Sequence, residues 1–321
     1  MSPKAWLTYL GLALTALAPA SSAAAQTKLA VAKVANDFAL SMVDYGNKLG
    51  TFHKNGLDVQ VSRITQAKMV QAVIAGSIDM ALASGATLAF AAKGAPLTGV
   101  AALSGPPSIL VLVVGTDSPI KSLDQLRDRT IAVSNLGSLT DWAVSQIAVH
   151  EHWAPSAIKR VSVGSTAARV AALRTGAADG AVVDIATGLN LETHGDGKIL
   201  VNFGDLITRF QNQIVYASNA LIKNDPDAVR RFVRAWFETI DHARTHKSET
   251  VAFAQQELGI APGIAEQVYD KLMPGGFFST DGRFDAAALD AMSKNFVEMK
   301  LLDHPVDLSQ YVTDRFLPKA P

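Results

Sequence analysis

The stretch Gly137-Ser138-Leu139-Thr140-Asp141 carries the strongest local signal for chemistry in this chain. It lies between an apolar run, Thr130 to Val133, and a segment from Trp142 to Glu151 that reads as a helix. The first turn of a helix leaves backbone N–H groups unpaired and carries a partial positive charge. Glycine lets a ligand approach the backbone, and Ser138 and Thr140 add hydroxyls. Such a site suits a carboxylate, sulfonate or phosphate oxygen, and the same residues equally serve as a plain helix cap. The spacing is neither the lysine-bearing phosphate loop nor the three-glycine dinucleotide fingerprint. Gly164-Ser165-Thr166 repeats the pattern of strand, glycine, hydroxyl and helix with less specificity.

Other candidates stand where strands end. Asn36-Asp37-Phe38 follows the first strand; a polar pair with an aromatic can fix and stack a planar ligand, or form an Asx turn with Phe38 in the core. Arg63 precedes Thr65-Gln66, which opens a helix. It is either a solvated charge or, turned inward, the natural partner of an anionic ligand. Ser84 with Gly85, and Ser104, close further apolar strands. Asp184 ends an apolar run, where a carboxylate must be hydrated or paired. It either receives an N–H from a ligand or caps the helix beginning near Ile185.

Catalytic constellations do not emerge. The seven histidines show no HExxH spacing and no metal-ligand cluster, so no metal site is expected. The acidic residues give no defensible general acid and base pair, and no nucleophile-elbow motif occurs. There is no cysteine, hence no disulfide and no thiol chemistry. Formal net charge is +0, from 29 basic and 29 acidic residues. That balance favours neither nucleic acid nor an anionic membrane surface as partner.

The elements that must position these residues repeat. Ala72 to Ser84 and Ala172 to Asp184 each read as the end of a helix, a glycine stop, an aspartate and a short apolar strand. Strands that apolar suit burial on both faces of a parallel sheet. The repetition predicts two similar α/β lobes whose strand ends face each other across a cleft, since ligands bind beyond the carboxyl ends of strands in open α/β sheets. Gly105-Pro106-Pro107 marks a first boundary, and Ile214 to Ala217 a crossing back. The expected organisation is residues 26–107 for the first part of lobe 1, 108–213 for lobe 2, and 214–321 for the return to lobe 1 with added helices. Those helices are read at Asp225-Pro226 onward, Ser248 to Leu258, Pro262 to Leu272, Phe284 to Met299 and Leu308 to Phe316. Ser122 and Gln125 stand in capping-box positions.

Residues 1–25 read as a cleavable signal peptide: Lys4, then the apolar run Trp6 to Ala18, then Ala23-Ala24-Ala25 before Gln26. No later stretch has the length of a membrane-spanning helix. With no cysteine after the cleavage site to take a lipid, the mature protein is expected to diffuse freely in a periplasm.

Taken in order, these features resemble a periplasmic substrate-binding protein of an ABC importer. The chain is similar to the group that includes binding proteins for nitrate, taurine and aliphatic sulfonates, together with the domain resembling the thiamine-pyrimidine synthase. The matching stretches are Gly56-Leu57-Asp58-Val59, Gly76-Ser77-Ile78-Asp79-Met80-Ala81 into Ala83-Ser84, and Ile120-Lys121-Ser122-Leu123-Asp124-Gln125-Leu126. Further on come Ile131-Ala132-Val133-Ser134 with Gly137 to Asp141, Gly176 to Asp179, and Asp225-Pro226-Asp227-Ala228-Val229.

The resemblance implies an α/β, type II periplasmic binding protein fold: two similar lobes joined by two crossover strands, with extra C-terminal helices. It places ligand contacts near Asn36, Ser84, Ser104, Ser138, Gly164 and Asp184, closure of the lobes on the ligand, and docking to a membrane permease. It implies a monomer without cofactor that binds a small organic solute with an acidic group such as sulfonate or carboxylate. Asp184 fits better with a ligand that also carries a donor group. Two alternatives are an enzyme of the pyrimidine-synthase type, whose relatives carry a Cys-rich motif that this chain lacks, and a ligand-presenting sensory protein.

Overall fold

Gly76 and Gly176 both adopt the left-handed backbone region, with φ of 72° and 74°. Each closes a helix, Gln66–Ile74 and Thr166–Arg174. Each donates its N–H back into the last turn, to the carbonyls of Val73 (3.0 Å) and Leu173 (3.2 Å). The aspartates that follow do the same work in both halves. Asp79 accepts the N–H of Ala30 and Asp179 that of Thr130, each at 2.8 Å. Their own N–H groups return to the carbonyls of those two residues at 2.9 and 2.8 Å. The repeat is thus a clamp that sets Met80–Ser84 beside Thr27–Lys33 and Gly180–Asp184 beside Thr130–Val133. The computed structural model describes residues 26–274 and 276–318; the segment read as a signal peptide lies outside them.

In chain order the strands are β1 (Thr27–Lys33), β2 (Leu57–Arg63), β3 (Met80–Ser84), β4 (Leu97–Ser104) and β5 (Leu110–Val114). Then come β6 (Thr130–Val133), β7 (Lys159–Ser162), β8 (Gly180–Asp184), β9 (Lys198–Asn202) and β10 (Gln213–Ser218). They form two five-stranded sheets, β2-β1-β3-β10-β4 and β7-β6-β8-β5-β9. The sheets are mixed rather than wholly parallel. β1 lies parallel to β2 and β3, and β6 to β7 and β8, but β10 and β5 run antiparallel to their neighbours. The two halves place equivalent alanines together, Ala32 opposite Ala81 and Ala132 opposite Ala181.

The chain leaves the first sheet after β4 through Gly105-Pro106-Pro107 and enters the second at β5. It returns after the short helix Phe203–Leu206, so the passage is residues 207–212. Ile214 to Ala217, expected as the crossing, lie within β10 in the first sheet. The two passages touch: the N–H of Asn212 donates to the carbonyls of Ser104 (3.1 Å) and Gly105 (3.0 Å). Phe210 stacks on Trp142 of the second lobe with ring centroids 4.9 Å apart, while Gln211 Nε2 donates to the Ser104 carbonyl at 2.6 Å.

The helix from Pro226 to Thr245 begins at a cap in which Asp225 accepts the N–H of Ala228 at 2.9 Å. Val229, Phe232, Val233, Trp236, Phe237 and Ile240 are buried on one face, as their spacing predicts. Helices Lys247–Leu258, Pro262–Leu272 and Ala286–Glu298 follow.

Two local expectations need correction. Leu308 to Phe316 holds only a short 3₁₀ turn, Leu308–Tyr311, because Asp307 captures the N–H and hydroxyl of Ser309 and Val312 then pairs beside Gly99. The Ser122–Gln125 capping box does not form; Gln125 Oε1 instead accepts the N–H of Lys121 at 2.6 Å.

Candidate functional site: a cavity between the two sheets

The loop after β1 turns on Asp37, whose carboxylate accepts the N–H of Leu40 at 2.8 Å. That Asx-type turn leaves Asn36 at the surface and buries Phe38, 3 % exposed, against Phe278. Behind the turn, the buried Lys33 ammonium donates to Asn36 Oδ1 (2.7 Å) and Ser41 Oγ (3.0 Å) and pairs with Asp44. The lysine therefore holds the Asn36 side chain in place.

The second lobe answers with Asp184 and Arg169. Asp184 caps the helix Ile185–Thr193, accepting the Thr187 N–H at 3.0 Å and its hydroxyl at 2.7 Å. Arg169 is only 7 % exposed. Its guanidinium donates to the carbonyls of Val182 (2.7 Å) and Gly164 and to Thr166 Oγ1 (2.9 Å). Burial lowers the Arg169 pKa, and the nearby Asp184 charge opposes that shift.

A cavity of about 630 Å³ opens between these groups. Val34 to Phe38 and Arg63 line it from the first lobe, and Leu110, Thr166, Arg169, Asp184, Thr187 and Asn190 from the second. Leu258 to Ala261 and Ile264, from the C-terminal helices, complete the wall. Arg63 has no hydrogen-bond or ion-pair partner among the described residues and is exposed at the cavity edge. Asp37 is pushed up to about 6. Burial is the main cause and the Asp184 charge adds to it, against the N–H groups of Leu40 and Ala39 and the charge of Lys33. The cavity therefore sets two guanidinium groups and two carboxylates around one space. It can take an anionic group and a hydrogen-bond donor on the same small molecule.

Of the residues singled out in the sequence, this cavity gathers Asn36, Asp37, Phe38, Arg63 and Asp184. The others lie elsewhere, each for a local reason. Gly137 to Asp141 close on themselves: the Gly137 N–H goes to Asp141 Oδ2 (2.8 Å), and the Ser134 N–H to Thr140 Oγ1 (2.9 Å). Ser138 Oγ caps the Leu139–His150 helix through the N–H of Asp141 and donates to the Asn135 carbonyl at 2.6 Å. These bonds occupy the Gly137 N–H and one N–H of the helix's first turn, that of Asp141. Gly164 lends its carbonyl to Arg169, and Ser165 caps the next helix through the Ala168 N–H. Ser84 Oγ donates to Gln66 Oε1 at 3.1 Å. Gly85 is walled in; a Cβ there would meet the Gln211 carbonyl oxygen at 2.0 Å and Met292 Cε at 2.6 Å. Ser104 is fully buried where the two passages meet, and its hydroxyl, Asn212 Nδ2 and Gln213 Oε1 have no partner among the described residues.

Thr166, from the Gly164-Ser165-Thr166 stretch, also lines the cavity, whereas Arg169, Thr187, Asn190 and the Leu258–Ile264 segment were not legible as site residues. Arg169 sits one helical turn past Ser165, within reach of a glycine carbonyl, and that spacing was its only local sign.

The fold is that of periplasmic binding proteins. The chain resembles the alkanesulfonate-binding protein SsuA from Xanthomonas axonopodis pv. citri bound to MOPS, with a TM-score of 0.76 and 17% identity over 91% of this chain and 99% of that one. It also resembles the periplasmic aliphatic sulphonate binding protein SsuA from Escherichia coli, with a TM-score of 0.75 and 18% identity over 89% and 92%. The desulfurization enzyme DSZB shares the fold less closely, with a TM-score of 0.63 and 18% identity over 91% and 97%. No curated protein sequence matches the chain. The family model described as NMT1/THI5 like matches residues 40–250, and the chain belongs to that family.

Proposed function

We propose that this chain is the exported solute receptor of an ABC importer. It takes a small organic solute bearing an acidic group, such as a sulfonate or carboxylate, together with a hydrogen-bond donor. The observation that carries this reading is the cavity between strand ends of the two sheets, where Arg63 and Arg169 meet Asp37 and Asp184. The likeness to sulfonate-binding proteins supports it. So does the paired passage between lobes, which is the construction of a hinge. A solute held by both lobes stabilises the closed state through its differential affinity for that state. The protein would then work in a periplasm as a monomer, handing its solute to a permease. Among the described residues no helix is long and apolar enough to cross a membrane.

The test is a thermal-shift panel of aliphatic sulfonates, carboxylates and their amino-substituted forms. At a hundredfold excess over Kd the right solute adds about 2.7 kcal/mol to stability. Amino-substituted acids are expected to outrank simple acids of the same length. If no acid of either kind moves the transition, this reading fails. Loss of uptake in a strain lacking the protein, restored by its return, tests the importer role.

The likeness to DSZB supports a second reading, an enzyme on the same fold. The chain contains no cysteine, so that reading has no thiol nucleophile available. Turnover of a bound solute during incubation with pure protein would favour it.

A further inference from the structure

Three metal-ligating side chains meet at a helix corner remote in sequence from the cavity's charged groups. His242 and His246 stand one turn apart at the end of the helix Pro226–Thr245, and Glu249 lies in the first turn of Lys247–Leu258. One ligand atom from each lies within 4.8 Å of the other two. The imidazole rings stack, with centroids 3.9 Å apart and planes 5° from parallel. No metal cluster was expected from the sequence, although His242 and His246 stand four residues apart and Glu249 follows three residues later.

His246 Nδ1 lies 3.1 Å from the carbonyl oxygen of His242. It also lies 2.8 Å from Thr245 Oγ1, and in the tautomer that donates from Nδ1 to the carbonyl, Nε2 keeps its lone pair. A backbone carbonyl holding the far nitrogen is how metal-ligating imidazoles are oriented. His242 Nε2 lies 3.0 Å from Glu249 Oε2, so a proton bridges the two where a cation would sit. The neighbouring basic groups have other partners: Arg244 pairs with Asp241 and bonds the Phe278 carbonyl, and Lys247 pairs with Asp270 and Glu266. The Tyr45 ring packs edge-on behind His242, with centroids 6.0 Å apart.

We propose that His242, His246 and Glu249 form a site for a divalent transition-metal ion of the zinc class, two imidazole nitrogens and one carboxylate oxygen with a position left for water. Tetrahedral zinc sets its ligand atoms about 3.3 Å apart. The three ligand atoms, already within 4.8 Å of one another, need only close to that spacing. Coordination through His242 Nε2 requires the neutral ring to carry its proton on Nδ1 instead. The ion ties together two helices, and the second of them ends at Leu258, in the cavity wall. The site is independent of the solute cavity's own charged groups.

Titration of the purified protein with zinc chloride in a non-chelating buffer, followed by calorimetry, tests this. One equivalent per chain is expected, with a micromolar Kd. His246→Ala and Glu249→Gln should each weaken it at least tenfold, while His304→Ala leaves it unchanged. Both affected positions are exposed, and circular dichroism checks their folding. Cobalt(II) should give a visible d–d absorption that both variants lose. Zinc binding unaltered by His246→Ala and Glu249→Gln, or no saturable binding below millimolar zinc, would overturn the assignment.

Discussion

Asp37 shows what the cavity does to a single group. Its carboxyl is raised from 3.8 to about 6, mainly by burial. The folded protein therefore holds that proton more tightly than the unfolded chain does. The sign follows: its contribution to stability is fully present below about pH 4 and is lost as pH rises through about 6. The loss is at most about 3 kcal/mol, from a shift of roughly two units at 1.36 kcal/mol each. Asp37→Asn keeps an oxygen for the Leu40 N–H but cannot ionise. The variant's melting temperature should gain on wild type between pH 4 and 6 and hold a constant lead above that. A difference that stays flat from pH 4 to 7 would show that the carboxyl is not perturbed. Arg169 behaves differently because its donors serve the backbone. Arg169→Ala leaves the Val182 and Gly164 carbonyls without their side-chain donor and should cost roughly 2–4 kcal/mol in denaturant unfolding. A loss under 0.5 kcal/mol would mean that the buried guanidinium does not hold this corner together.

Elements were more legible than side-chain destinations. The repeat around Gly76 and Gly176 could be read because a left-handed helix stop favours glycine, and the apolar strand after it must be buried. The clamp built from it gives a prediction at this scale. Asp79→Ala and Asp179→Ala each orphan one strand N–H, at a cost of about 1–2 kcal/mol. The two lie in different lobes, so the double variant's loss should equal the sum within about 0.5 kcal/mol. A strongly non-additive result in equilibrium unfolding would argue against two independent clamps. Gly137 to Asp141 show where reading the sequence stops. A capped helix terminus and an anion-binding one have the same residues, and the difference lies in whether Asp141 folds back onto the Gly137 N–H, as it does here. Asp184 had the same ambiguity. The fold makes it the cap of the helix at Thr187 and also sets it in the cavity wall.

At the scale of the whole molecule, the two lobes and the C-terminal helices were visible as a pattern, but the cavity's composition was not. Its wall draws on the loop after β1, on Arg63, on a helix of the second lobe and on Leu258 to Ile264. No local spacing links segments that far apart; only the return of the chain through residues 207–212 brings the last of them to the site. The same return lays the Gln211 carbonyl over Gly85 and the Gln211 amide on the Ser104 carbonyl, and Ser104 is fully buried there, outside the cavity wall.

The central claim is that one solute is held by both lobes at once. The direct measurement is its Kd, by calorimetry, for wild type, for Arg63→Ala in the first lobe and for Asp184→Asn in the second. Asparagine still caps the helix at Thr187, and Arg63 has no partner to lose, so both variants should fold as wild type does. Each should weaken binding at least tenfold, a loss of about 1.4 kcal/mol or more. An unchanged Kd in either folded variant would mean that the solute does not bridge the lobes in this cavity.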